Sequence, residues 1–143
     1  ALVEGYASDL TRTLRLNSCT PAFDQAHQVV FEAQKAAIET IRPGASTQSV
    51  DQAARQVLRK HGMEKAFKHG LGHGIGLYIH ESPRMSAVGD GTLQSGMIVT
   101  VEPGVYFDGD FGIRIEDDVL VTETGYEVLS DLPKGLEDHQ LLL

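Results

Sequence analysis

Two helical stripes and several short alternating runs organise the chain. Apolar residues recur at Ala26, Val29, Val30, Ala33, Ala37 and Ile41, the spacing of one helix face. Thr20-Pro21 supplies a cap and a proline at the first helical position, and Pro43-Gly44 ends the stripe. A second helix is predicted from a cap at Ser46 or Thr47 through Val50, Ala53, Ala54, Val57 and Leu58, closed by His61-Gly62. Ahead of both, residues 4–16 alternate as a strand, with Ala7, Asp9, Thr11 and Thr13 opposite Ser8, Leu10, Arg12 and Leu14. After Gly62 glycine and β-branched residues take over, and strands are predicted at about 74–81, 97–102, 112–122 and 126–129. Strand, two helices, then several strands implies an α+β fold with helices on one face of a largely antiparallel sheet. There is no repeat, low-complexity run or linker.

Three acids interrupt this pattern. In MIVTVEPG, residues 97–104, Glu102 ends an otherwise apolar strand just before a Pro-Gly turn. In GIRIEDDVLV, residues 112–121, Arg114, Glu116 and Asp118 share one face, with Ile113, Ile115, Asp117, Val119 and Val121 on the other. Asp9 is the third acid. Strands disfavour such residues, and an inward carboxylate is costly unless paired. Three carboxylates and at least one histidine on strands could form an oxygen-rich site for two divalent ions sharing a water. Ligation by nitrogen and oxygen without thiolate suits Mn, Co, Zn or Fe.

The histidines lie in HGLGHGIGLYIHE, residues 69–81, where His69, His73 and His80 stand among Gly70, Gly72, Gly74 and Gly76. Taken alone they could be turn residues, or core residues satisfied by backbone carbonyls, as well as ligands. The glycines match neither GxGxxG nor GxxxxGK[ST], and His80-Glu81 is followed by Ser82-Pro83, so HExxH is absent. With 143 residues the chain is long enough for one domain. A net charge of −8 argues against nucleic acid or an anionic membrane as partner. No apolar run approaches a membrane span. The single Cys19 excludes an internal disulfide, and a cytoplasmic location is the default expectation. The chain opens ALVEGY, without Met and already inside a strand-like pattern.

GYASDLTRT, HGLGHGIGLYIHESP, TVEPGVY and GIRIEDDVLVT resemble, in order and spacing, the signature blocks of the pita-bread metallopeptidases, nearest to the Xaa-Pro aminopeptidase and prolidase branch. The resemblance runs from about residue 5 to residue 130. It implies the pita-bread (creatinase/aminopeptidase) fold, a curved antiparallel sheet with helices on its outer face. It implies Asp9, His73, Glu102 and Glu116 as ligands of two divalent ions, manganese first and cobalt or zinc as alternatives, with Glu116 bridging. Glu102 would also act as general base or proton shuttle, His80 would stabilise the intermediate, and His69, His80 and Arg114 would hold substrate. The activity implied is hydrolysis of the bond between an N-terminal residue and proline in a peptide substrate, with homodimerisation. Methionine aminopeptidases and catalytically silent binding modules share the fold and are the alternatives. The family pattern carries one more metal-binding Asp on a strand that would precede Ala1. Residues 1–143 are therefore expected to be the C-terminal part of a single catalytic domain, the remainder supplied by the same or another polypeptide.

Overall fold

The computed structural model describes residues 1–17 and 19–141. Its strands are β1 (Leu2–Val3), β2 (Tyr6–Ala7), β3 (Arg15–Leu16), β4 (Gly72–Gly74), β5 (Glu81–Met85), β6 (Ile98–Val101), β7 (Gly104–Phe107), β8 (Phe111–Arg114), β9 (Asp117–Val121), β10 (Tyr126–Val128) and β11 (Gln140–Leu141). Its two α-helices are α1 (Pro21–Ile38) and α2 (Thr47–Lys60). β10-β9-β6-β4-β5 form one sheet, antiparallel throughout, while β7 pairs with β8, β1 with β2 and β3 with β11. The expected α+β architecture is the one observed.

The helices begin where the caps predict. Thr20 Oγ1 accepts the Phe23 N–H at 3.3 Å and Ser46 Oγ accepts the Ser49 N–H at 3.1 Å, each satisfying a donor that the first turn leaves orphaned. The stripe Ala26, Val30, Ala33 and Ala37 on α1, with Val50, Ala54 and Leu58 on α2, is fully buried against Leu71, Met85, Val99, Val101, Ile113 and Val119. α1 packs on α2 and lies over β6, β7 and β8; α2 lies over β5.

Three strand expectations need correction. Residues 4–16 are not one strand. Glu4 and Gly5 both adopt positive φ, 50° and 89°, and turn β1 back onto β2, the backbone handedness that a two-residue hairpin needs. From Ser8 to Leu14 the chain makes only one bridge among the described residues, Thr11 to Glu116. Second, 74–81 is not one strand: residues 75–80 form a loop between the last residue of β4 and the first of β5. Third, 112–122 divides at Ile115–Glu116 into β8 and β9, which belong to different sheets. Alternation continues through the break, so periodicity could not reveal it. β7 was missed because Pro103-Gly104 reads as a turn.

Gly72 and Gly74 make the centre of the sheet possible. A Cβ on Gly72 would overlap the Thr100 carbonyl of β6, and one on Gly74 the Ser82 carbonyl of β5. These glycines admit neighbouring strands rather than opening space over the cleft.

Asp51 of α2 connects helix to sheet. Its fully buried carboxylate accepts from Arg55 Nε at 2.7 Å and from the Leu71 N–H at 3.2 Å. Arg55 also donates to the His69 carbonyl at 2.7 Å and lies 4.3 Å over the Phe67 ring. Removing one partner strands the others in a water-poor setting. Asp51→Ala should cost about 3 kcal/mol, measured as the fall in urea midpoint at constant slope; a loss under about 1 kcal/mol would show Leu71 and Arg55 re-paired with solvent.

Candidate metal centre

The candidate site forms where strands end. Asp9 follows β2 in the nearly unpaired segment, Glu102 follows the last residue of β6, and Glu116 occupies the break between β8 and β9. None lies inside a regular ladder, contrary to the expectation from alternation. Only His73 is a mid-strand residue, on β4, where its N–H is bound by Thr100 Oγ1 at 3.1 Å.

Three of the four expected ligands converge. One ligand atom each from Asp9, His73 and Glu116 lies within 4.8 Å of the others. The fourth, Glu102, has Oε1 3.3 Å from His73 Nε2 and accepts the Thr100 hydroxyl at 3.2 Å. His73 and Glu116 are buried, at 8% and 2% exposure. Thr11 Oγ1 donates to Glu116 Oε2, and the Thr11 backbone carbonyl accepts the Glu116 N–H at 3.0 Å.

The His73 ring has a defined orientation. Nδ1 sits 3.0 Å from the Gly74 carbonyl, which can only accept, so Nδ1 carries a proton and Nε2 faces the acids. Its hydrogen bond to Glu102 raises the imidazole pKa despite the opposing effect of burial. Burial alone would push Glu102 upward, but His73 and the Thr100 hydroxyl outweigh it and hold this carboxyl below the usual range. Glu116 goes the other way, to about 7, because burial and the negative charges of Glu102 and Asp9 exceed the help from Thr11. Crowded carboxylates facing one imidazole fit a divalent ion bound by oxygen and nitrogen.

His69, His80 and Arg114 border the same opening, a cleft of about 390 Å³ also lined by Arg84, His73 and Glu102. His80 is exposed, with its ring 4.5 Å from that of His73 at 71°. His69 Nδ1 faces the Gly70 carbonyl at 2.8 Å and Nε2 meets the Tyr106 hydroxyl at 2.9 Å. Arg114 Nη1 donates to that hydroxyl at 3.3 Å and Nε to Thr11 Oγ1 at 3.2 Å. Tyr106 thus joins His69 to Arg114. Sequence reasoning quoted it in TVEPGVY without using it; its place four residues after Glu102 was the available signal. Thr11 was missed likewise, because a hydroxyl two residues from Asp9 looks like ordinary strand composition.

These features make a candidate carboxylate–imidazole metal site on an α+β scaffold with an antiparallel central sheet. A model of metallopeptidase family M24 matches residues 1–123. The chain belongs to that family. It is 43% identical over 135 residues to YkvY of Bacillus subtilis (strain 168), a protein with a provisional dipeptidase name, covering 94% of this chain and 37% of that one. Among solved structures it resembles the X-Pro aminopeptidase of Thermotoga maritima MSB8, with a TM-score of 0.91 and 38% identity over 98% of this chain and 38% of that one. It also resembles the prolidase of Pyrococcus horikoshii OT3, with a TM-score of 0.92 and 38% identity over 94% of this chain and 39% of that one. The pita-bread fold is therefore the fold of this chain, which spans less than two fifths of these relatives' length.

The Glu116 carboxyl sets a pH dependence for the metal-free chain. Its pKa rises on folding from 4.5 to about 7, so between those values the folded state binds the extra proton and stability falls as pH rises. His73, also raised by folding, acts in the same direction. Glu116→Gln should flatten the decline, measured by urea unfolding in chelator between pH 5 and 8. Parallel curves for both proteins would place the dependence elsewhere.

Proposed function

We propose that residues 1–143 form the C-terminal part of the catalytic domain of a dinuclear metallo-exopeptidase that cleaves between an N-terminal residue and proline. The convergence of Asp9, His73 and Glu116 carries this reading. Family membership supports peptide hydrolysis, and the likeness to an X-Pro aminopeptidase and a prolidase supports the proline-directed branch.

In this reading Asp9, His73, Glu102 and Glu116 hold the ions, manganese first and cobalt or zinc as alternatives. Bound divalent metal supplies a polarised scissile carbonyl and a water of lowered pKa. The chain supplies the rest. Glu102, held ionised beside His73, takes a proton from the attacking water and returns it to the departing proline nitrogen. Glu116 stays anionic once its crowding is relieved by a cation, and Thr11 orients the oxygen it touches. His80, exposed at the rim, donates to the oxyanion that develops at the scissile carbonyl. The His69–Tyr106–Arg114 chain presents donors to the peptide, and the Arg114 guanidinium keeps its charge at every working pH. Substrate length, a homodimeric state and a cytoplasmic location belong to the whole protein and are extensions of this proposal. Among the described residues no helix is long and apolar enough to cross a membrane.

With the rest of the catalytic domain supplied from elsewhere, the 143-residue chain alone should bind one ion weakly and turn over little substrate. Elemental analysis after dialysis against manganese, followed by assays with an Xaa-Pro dipeptide, a longer Xaa-Pro peptide and Met-Ala-Ser, checks this. His73→Ala should lose metal by at least about tenfold in affinity. Full Xaa-Pro turnover by the chain alone would overturn the part-domain proposal. Preference for Met-Ala-Ser would indicate a methionine aminopeptidase, and no metal retention a binding module.

A further inference from the structure

Sheet hydrogen bonds do little to direct Asp9. Between β2 and β3 the segment has, among the described residues, the single bridge of Thr11 with Glu116. What restrains it is the acidic run Glu116-Asp117-Asp118, each member of which takes a different part of the segment. Glu116 accepts the Thr11 hydroxyl, Asp118 Oδ2 accepts the Asp9 N–H at 3.1 Å, and Asp117 Oδ1 accepts from Arg12 Nη2 at 2.8 Å. Successive strand side chains face opposite ways, so Asp117 points away from its two neighbours. It is completely buried.

A buried carboxylate demands compensation, and Asp117 has three partners: Arg12, Lys134 and the Gln34 amide of α1 at 3.0 Å. The Arg12 side chain is itself only 6% exposed, and its remaining donors all go to backbone oxygens. Nη1 binds the carbonyls of Thr11 at 3.0 Å and Glu116 at 2.6 Å. Nη2 also binds Leu132 O at 2.8 Å, and Nε binds Pro133 O at 2.9 Å. One planar guanidinium thereby joins both residues of the bridge to the loop that carries Lys134. A lysine, with a point charge on a flexible stem, cannot reproduce this fork.

We propose that Arg12, anchored on the buried Asp117, is a positioning residue that aims Asp9 at the cation shared with His73 and Glu116. This rests on the metal-centre reading above. Arg12 acts through the backbone of residues 11 and 116, and Asp118 fixes the Asp9 N–H from the other side. The aim of this ligand is thus decided on the core side of β9, the side remote from the cleft.

The test uses the 143-residue chain with Co²⁺ as probe, followed by calorimetry and visible absorption, for wild type, Arg12→Met, Arg12→Lys, Asp9→Asn and the Arg12→Met/Asp9→Asn pair. Arg12→Met is expected to weaken Co²⁺ binding about 10–100-fold and to alter the absorption band. The double variant should bind Co²⁺ no worse than Asp9→Asn alone, because the influence of Arg12 passes through Asp9. Unchanged affinity and spectrum, or losses that simply add, would overturn the proposal even if the unfolding midpoint fell. Should near-ultraviolet circular dichroism show Arg12→Met unfolded, Arg12→Lys carries the same comparison, since it keeps the charge and loses the fork. Should wild type take up no Co²⁺, the metal reading fails on its own. Amide hydrogen exchange at Asp9 and Glu116 then decides the positioning role: lost protection in the Arg12 variants supports it, and unchanged protection overturns it.

Discussion

The antiparallel meeting of residues 9–13 with residues 114–118 is the constraint on which the rest of the site depends. It is made largely by side chains. Thr13 Oγ1 exchanges hydrogen bonds with the Arg114 backbone, Thr11 holds Glu116, Arg12 holds Asp117 and Asp118 holds the Asp9 N–H. A continuous ladder would have turned alternate residues away from one another with fixed pleat. The isolated bridge with side-chain fastenings instead lets Asp9 and Glu116 approach the same point from two segments that lie outside the regular ladders.

Crowding these acids is unfavourable without a cation, and the structure divides that cost unevenly. Glu102 stays ionised because His73 faces it, whereas Glu116, raised by burial and by the negative charges of Glu102 and Asp9, holds its proton to about pH 7. Two carboxyls of one site are thereby pushed in opposite directions by their surroundings, a separation common at centres that move protons or bind metal. Asp118, raised mainly by burial and next by the neighbouring acids, with Oδ1 lacking a hydrogen-bond partner among the described residues, extends the same strain behind Asp9.

Support for the cleft comes from the helices. Asp51 and Arg55 on α2 hold the Leu71 N–H and the His69 carbonyl, so the approach to β4 is set from the helical layer. Gly72 then lets β4 lie close to β6, which brings His73 beside Thr100 and Glu102. Substitution far from the cleft would therefore be felt at the imidazole, through backbone position rather than contact.

The amino-acid order alone determined the helices, their caps and their buried stripes, because a 3.6-residue period and a capping hydroxyl are local properties. It also determined the α+β class and, through four ordered blocks, the family and the candidate residues Asp9, His73, Glu102 and Glu116. Tertiary structure alone decided where the strands break. The turn at Glu4-Gly5, the loop after Gly74 and the division at Ile115–Glu116 all sit inside unbroken alternation, and a break costs nothing in pattern when partners change on either side. The pairings of Arg12 with Asp117 and of Thr11 with Glu116 were equally illegible, since each joins residues more than a hundred positions apart. Local chemistry specifies what a residue can do, and only long-range pairing specifies what it meets.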